Sequence, residues 1–274
     1  MAVLRMFPAF SLLSLIACSD NVPATAVHSS ADKSETASSA APRPPIHYDQ
    51  TAVLTVDGQP QEEQSYQTLL ENCHKAGSPT RALTPSDAGK LGRVHVEAWV
   101  GLEKQSRHEE EWHLDSSKSC EFALTHIDQT EIVDSKGRST AVDGVTHEVN
   151  VQELGEPAPV TPLPASDGEV TDGHRQAGWS KQGVANANGA QCAIWQNSTG
   201  FQLCVWTGGR QWGYSSDGMT ALKDGVSPGD AIVLWTHPGR GATWKLDTRE
   251  FSVGKALDSR AFAIPDNATR GASH

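Results

Sequence analysis

Side chains able to do chemistry come close together at a few places in this chain. In HEEEWH, His108 to His113, two imidazoles bracket three glutamates. A helix-borne zinc site needs its second His four places after the first, so that both share one face, and position 112 is Trp. In a strand, His108 and His113 point to opposite faces. GYSSDG, Gly213 to Gly218, offers a serine in a turn, but Asp217 stands where a nucleophile elbow carries its second glycine, and the segment reads as a β-turn. The other histidines, His126 and His237 among them, show no ligand spacing. No metal, cofactor or catalytic residue is therefore expected. Trp206 and Trp212 flank TGGRQ with Arg210 between them. Two flat aromatic faces and a guanidinium suit stacking on a sugar ring or anchoring a protein interface, which makes these three the candidate ligand-binding residues.

The elements that position them can be read from periodicity. PQEEQSYQTLLENCHKAGSP carries Tyr66, Leu69, Leu70 and Cys73 at helical spacing, with acids early, Lys75 late and Gly77 as a stop. RVHVEAWVGL alternates Val94, Val96, Ala98 and Val100 inward against His95, Glu97 and Trp99 outward, a half-buried strand. Further strands are expected at EEEWHLD and CEFALTHIDQTEIV, so that 48–152 forms an α+β domain, a helix on an antiparallel meander. The Pro-rich, acidic stretch 153–175 reads as a linker or long surface loop. Beyond it, 176–266 is expected to be all-β, a small barrel or sandwich, with 267–274 as a tail. The fold class is thus α+β and mainly β. Two hairpins are specified in detail. With NSTG as the turn, Gln196 faces Gly200, Cys192 faces Cys204, and Trp195 pairs with Phe201 on the core side together with Ala193, Leu203 and Val205. Around PGRG, His237 faces Ala242 and Trp235 faces Trp244, with Ala231, Val233 and Leu246 on their side. Segments around Phe251 and Phe262 supply two more strands.

The N-terminus carries an address. Arg5 precedes an apolar run of about eleven residues from Phe7 to Ala17, the length of a signal-peptide core and short of the roughly 20 needed to span a bilayer. Leu15, Ile16, Ala17 and Cys18 resemble the lipobox of bacterial lipoprotein precursors. The resemblance implies that 1–17 is a signal peptide and that Cys18 becomes the mature N-terminus. Its thiol would be thioether-linked to diacylglycerol and its amine acylated, so that several acyl chains hold it stably in a membrane. Ser19 follows Cys18 where the family's inner-membrane retention signal has Asp, which implies the outer membrane, on its periplasmic side. The rest of 18–47 is Ala, Ser, Thr, Pro and charge with no aromatic residue, a disordered leash reaching about 30 Å.

Five cysteines minus Cys18 leave Cys73, Cys120, Cys192 and Cys204, an even number that in an exported protein points to two disulfides. Of the three possible pairings, the first hairpin favours Cys192 with Cys204 and hence Cys73 with Cys120. A net charge of −11 without a Lys/Arg cluster excludes a phosphate-binding surface, and so nucleic acid. The expectation is a lipid-anchored cell-envelope protein that binds or scaffolds without catalysis. Its partners are the membrane, through Cys18, and an envelope protein, which it binds or inhibits. Peptidoglycan or another glycan is the first alternative, and an envelope hydrolase the second.

Overall fold

Ile46, Tyr48, Gln50 and Ala52 are buried along one side of a strand while His47, Asp49 and Thr51 stand half-buried on the other. This is β1, Ile46–Val56, and it is the middle of the molecule. The computed structural model describes residues 43–155, 178–206, 208 and 232–270. After β1 come β2 (Gln59–Pro60), helix α1 (Gln61–Lys75), a single turn α2 (Pro85–Ala88) and β3 (Arg93–Val100). A long hairpin follows, β4 (Lys104–Lys118) and β5 (Glu121–Asp134), then β6 (Arg138–Asp143) and β7 (Glu148–Glu153). Past the segment 153–175 lie β8 (Ser180–Ala187), β9 (Ala190–Gln196), β10 (Gln202–Trp206), β11 (Ile232–His237), β12 (Ala242–Val253) and β13 (Thr269–Arg270).

The protein is mainly β. Its strands run in the order β13-β7-β6-β5-β4-β3-β1-β12-β11-β10-β9-β8, with β2 paired to β1. The described strand pairings are antiparallel except β13 with β7, and an isolated parallel bridge joins Arg81 to Glu121. Among the described residues the path has two ends, an open sheet in place of the expected small barrel or sandwich. Nor does 153–175 separate the strands into two sets, because β1 pairs β3 on one side and β12 on the other. Phe262 lies in a 3₁₀ turn, Ser259–Phe262, while part of the expected tail joins the sheet through Thr269 and Arg270 beside β7.

The main core lies on the inner side of β1 and β3 and continues along β9 to β12. Trp195, Leu203, Val205, Ile232, Leu234 and Leu246 are almost wholly enclosed there. Burial of such side chains contributes roughly 1.5–3 kcal/mol each. Trp206 belongs to this core too: it is 8% exposed and meets Phe251 edge-on at 4.9 Å, so it does not offer a flat face to a ligand. Arg210 and Trp212 lie outside the described residues, as do Cys18 and the leash up to residue 42, the linker from residue 156, and Gly213 to Gly218.

A second cluster sits under α1. Tyr66 and Cys73 from the helix pack with Leu91 and Phe122, with Leu114 and Leu124 alongside. Tyr66 meets Phe122 edge-on, and the Tyr66 hydroxyl accepts the Leu83 N–H at 3.0 Å. The tip of the β4–β5 hairpin reaches this cluster, and Cys120, held at φ 58°, is bonded there to Cys73.

Both disulfides pair as expected, Cys73 with Cys120 and Cys192 with Cys204, but the hairpin registers differ. In the first, Asn197 accepts the N–H groups of Thr199 and Phe201 on its side-chain oxygen, and Gly200 takes φ 85°. This closes a loop over Ser198 to Gly200 and sets Gln202 opposite Gln196 and Leu203 opposite Trp195, a slip of two residues. An even slip keeps every side chain on its face, so Trp195 and Leu203 stay buried. Cys204 now faces Ile194 and reaches Cys192 diagonally at a Cα separation of 5.4 Å.

In the second hairpin Trp235 lies opposite Asp247, not Trp244. The reason is that buried side chains take over ladder bonds. Thr236 Oγ1 donates to the Trp244 carbonyl and accepts the Leu246 N–H, each at 2.7–2.8 Å. Across the same joint, Gln50 Nε2 donates to the Val233 carbonyl at 2.7 Å and to Thr248 Oγ1 at 3.0 Å. Val233 and Leu246 remain in the core, but Trp235 leans half-buried on His237 and Ala242 is exposed.

Two tight turns are held by carboxylates. Asp134 accepts the N–H groups of Arg138 and Lys136, and Asp143 those of Thr146 and Val145. Those bonds hold both carboxyls below the ordinary range. Stability from such groups is present above the unfolded value, near 4, and is lost as pH falls through the lower folded values. Melting temperature should therefore drop as pH falls below about 4. An Asp134→Asn, Asp143→Asn protein, which keeps the acceptors but cannot titrate, should show a shallower drop in the same scan.

Candidate functional site

The outer side of β1, β3, β4 and β5 carries a lattice of imidazoles and carboxylates. Four strands that are neighbours in the sheet each hold a His and an acid two residues apart: His47 and Asp49, His95 and Glu97, His108 and Glu110, His126 and Asp128. That spacing puts both on one face of a strand. Pairing then sets Asp49 opposite Glu97, Glu97 opposite His108, His95 opposite Glu110, and Glu110 opposite Asp128.

Every imidazole of the lattice touches a carboxylate. His95 stands between two, with Nε2 2.9 Å from Asp49 Oδ1 and Nδ1 3.0 Å from Glu110 Oε2. His108 Nε2 is 2.9 Å from Asp128 Oδ1, and His126 Nε2 is 3.2 Å from Glu110 Oε1. At the other corner His47 Nε2 is 2.9 Å from Glu97 Oε1 and Nδ1 3.6 Å from Glu250 Oε1. Two tryptophans set ring planes: Trp99 stacks on His47 and Trp112 on His126, with centroids 5.3 and 5.2 Å apart.

Partial burial pushes the Glu110 carboxyl up, but the His95 hydrogen bond, the charges of His108 and His95, and the His126 bond outweigh it and hold Glu110 below the usual range. The glycine at 144 shapes the same corner. Its N–H donates to the Asp128 carbonyl, and a Cβ there would lie 2.3 Å from the Asp128 carboxyl carbon. Glu110, His126 and Asp128 offer one ligand atom each, all within 4.8 Å of one another. Among the described residues, these three form a group whose ligand atoms could hold a metal ion, where the sequence had shown histidines without ligand spacing.

No protein-family model matches this chain, and no curated protein or solved structure matches it either. What it can do must be read from its own chemistry.

The lattice counts five carboxylates, with Glu250, and among the described residues the exposed Arg249 comes within 4.0 Å of Asp49. Like charges directly opposite one another, such as Glu110 and Asp128, cost stability unless something positive lies between them. A separate open groove of about 320 Å³ lies beside the Cys73–Cys120 bridge, lined by Leu69, Ala76, Phe122 and Lys118 among others, with neither imidazole nor carboxylate in its walls.

The residues singled out from sequence divide accordingly. The four paired cysteines are structural, Trp206 is core, and His108 and His126 join the lattice while His113 turns to the opposite face beside Glu111 and Glu62. Sequence reasoning missed His47, Asp49, His95, Glu110 and Asp128. The signal that could have found them is the repeated His-x-acid spacing, which is invisible to a search for helical or Cys-based ligand patterns.

Proposed function

We propose that this is a lipid-anchored envelope protein that works by binding, and that its ligand is a basic segment of another envelope protein held on the imidazole–carboxylate face. The observation that carries the reading is the four His-x-acid pairs gathered on neighbouring strands β1, β3, β4 and β5. The lipobox-like Leu15 to Cys18 supports the anchor, the leash gives reach, and the disulfides suit an oxidising compartment. The anchor would place the protein in the outer membrane, facing the periplasm. The glycan alternative loses one of its three residues to the core, since Trp206 is enclosed against Phe251.

The test is binding of a fluorescent lysine-rich peptide in EDTA and low salt. Wild-type protein should bind it with an affinity that falls steeply with salt, and Glu97→Gln, Glu250→Gln should weaken it about tenfold, roughly 1.4 kcal/mol. Equal binding by wild type and variant sinks the reading. For the anchor, mass spectrometry of the mature protein should find acylated Cys18, and Cys18→Ser should leave the precursor uncleaved by the lipoprotein peptidase.

A further inference from the structure

We propose that Glu110, His126 and Asp128 form a binding site for a single divalent transition-metal ion of the zinc type. The three project from one face of the β4–β5 ladder, where Glu110 faces Asp128 and Trp112 faces His126. Their ligand atoms already converge within 4.8 Å. Two ligands about 2.1 Å from a tetrahedral ion are about 3.4 Å apart, and Glu110 Oε1 and His126 Nε2 are separated by 3.2 Å. An ion entering here takes the place of the hydrogen between those two atoms. The imidazole coordinates through the Nε2 lone pair and carries its remaining N–H on Nδ1.

The surroundings are those of a metal site rather than of a chance surface group. His95 bonds the other oxygen of Glu110 and is itself held by Asp49; His108 bonds Asp128. Partners of this kind orient ligands and tune their basicity. Trp112 fixes the plane of the His126 ring, and Gly144 leaves the space that the Asp128 carboxylate occupies. An imidazole nitrogen with two carboxylates selects zinc-like ions over Ca²⁺ and Mg²⁺, which prefer oxygen ligands alone.

The inference uses the same face as the peptide reading but does not depend on it. Full-length protein, stripped of metal, is titrated with Zn²⁺ in a calorimeter and with Co²⁺ in a spectrophotometer. One equivalent should bind, with Ca²⁺ and Mg²⁺ inert at the same concentrations. His126→Ala should lower the affinity about 100-fold, and His108→Gln about tenfold. Gly144→Ala, which alters no ligand but drives the Asp128 carboxyl aside, should also weaken binding. His47→Ala, at the far corner, should leave it unchanged, as should Glu97→Gln, Glu250→Gln, the variant expected to weaken peptide binding. Absence of a one-to-one isotherm overturns the proposal. So does an affinity that His126→Ala and Gly144→Ala leave untouched, which would mark adventitious binding to other histidines. Should His126→Ala fail to fold, the ring resonances of His126 in wild-type protein decide: unmoved by Zn²⁺, they refute the site.

Discussion

Replacing Cys73 and Cys120 together with serine is expected to lower the unfolding free energy by about 4 kcal/mol, against about 3 for the Cys192, Cys204 pair. The bridges span 47 and 12 residues, and closing the longer loop removes more freedom from the unfolded chain. The two losses should also differ in kind. Cys192 and Cys204 lie inside the main core, where adjacent strands remain zipped without the bond. Cys73 and Cys120 join α1 to the tip of the longest hairpin through the small cluster of Tyr66, Leu91 and Phe122. Without the bond that cluster is held by its few apolar contacts and by hydrogen bonds such as Leu114 N–H to Glu62 and Leu83 N–H to Tyr66. Urea unfolding followed by Trp fluorescence and by far-ultraviolet circular dichroism should stay coincident for the core pair. For Cys73, Cys120 the helical signal should be lost first. A change below about 1 kcal/mol for either pair would mean that the unfolded chain gains nothing from its release.

Gln50→Glu should be the most damaging single change in the sheet, at about 4 kcal/mol near neutral pH, with part recovered in acid. Gln50 is fully buried, and its amide donates to the Val233 carbonyl and to Thr248. A carboxylate cannot donate to that carbonyl, and an unpaired buried charge is costly; protonation restores one donor. Gln50→Leu keeps the volume and removes the donors, which should cost about 2 kcal/mol for the acceptors left unsatisfied. Denaturant titrations at pH 7 and pH 5 read both. If Gln50→Leu unfolds at the same urea concentration as wild type, the Gln50 hydrogen bonds add nothing net to the joint between β11 and β12.

How far the sequence discloses the molecule can be seen at particular residues. The alternation of Val94, Val96, Ala98 and Val100 gives β3 with its inner face, because a strand with one buried side prints its period directly. The helix-like spacing of Tyr66 and Cys73 corresponds to the two buried residues of α1. Registers are another matter. Both hairpins slip because Asn197 and Thr236 use side chains where the backbone would otherwise bond, and no periodicity records that choice. β1 is least legible: with Gln50 inside and His47 and Asp49 outside, it reads as polar until its neighbours are known. The site suffers from the same blindness. Spacing puts His126 beside Asp128, but only the pairing of β4 with β5 brings Glu110 to them, and only that of β3 with β4 adds His95.

The place of β1 bears on how the chain comes to be folded at all. Gln50 contacts Thr248, 198 residues later, and the whole of β12 lies against β1. A chain delivered N-terminus first can complete β3 to β7, yet one edge of β1 has no strand beside it until nearly the last segment arrives. Contacts of such long range make folding slow, and a waiting edge is a template for unwanted pairing. A truncation before Ala242 should therefore yield aggregates in place of a smaller stable domain.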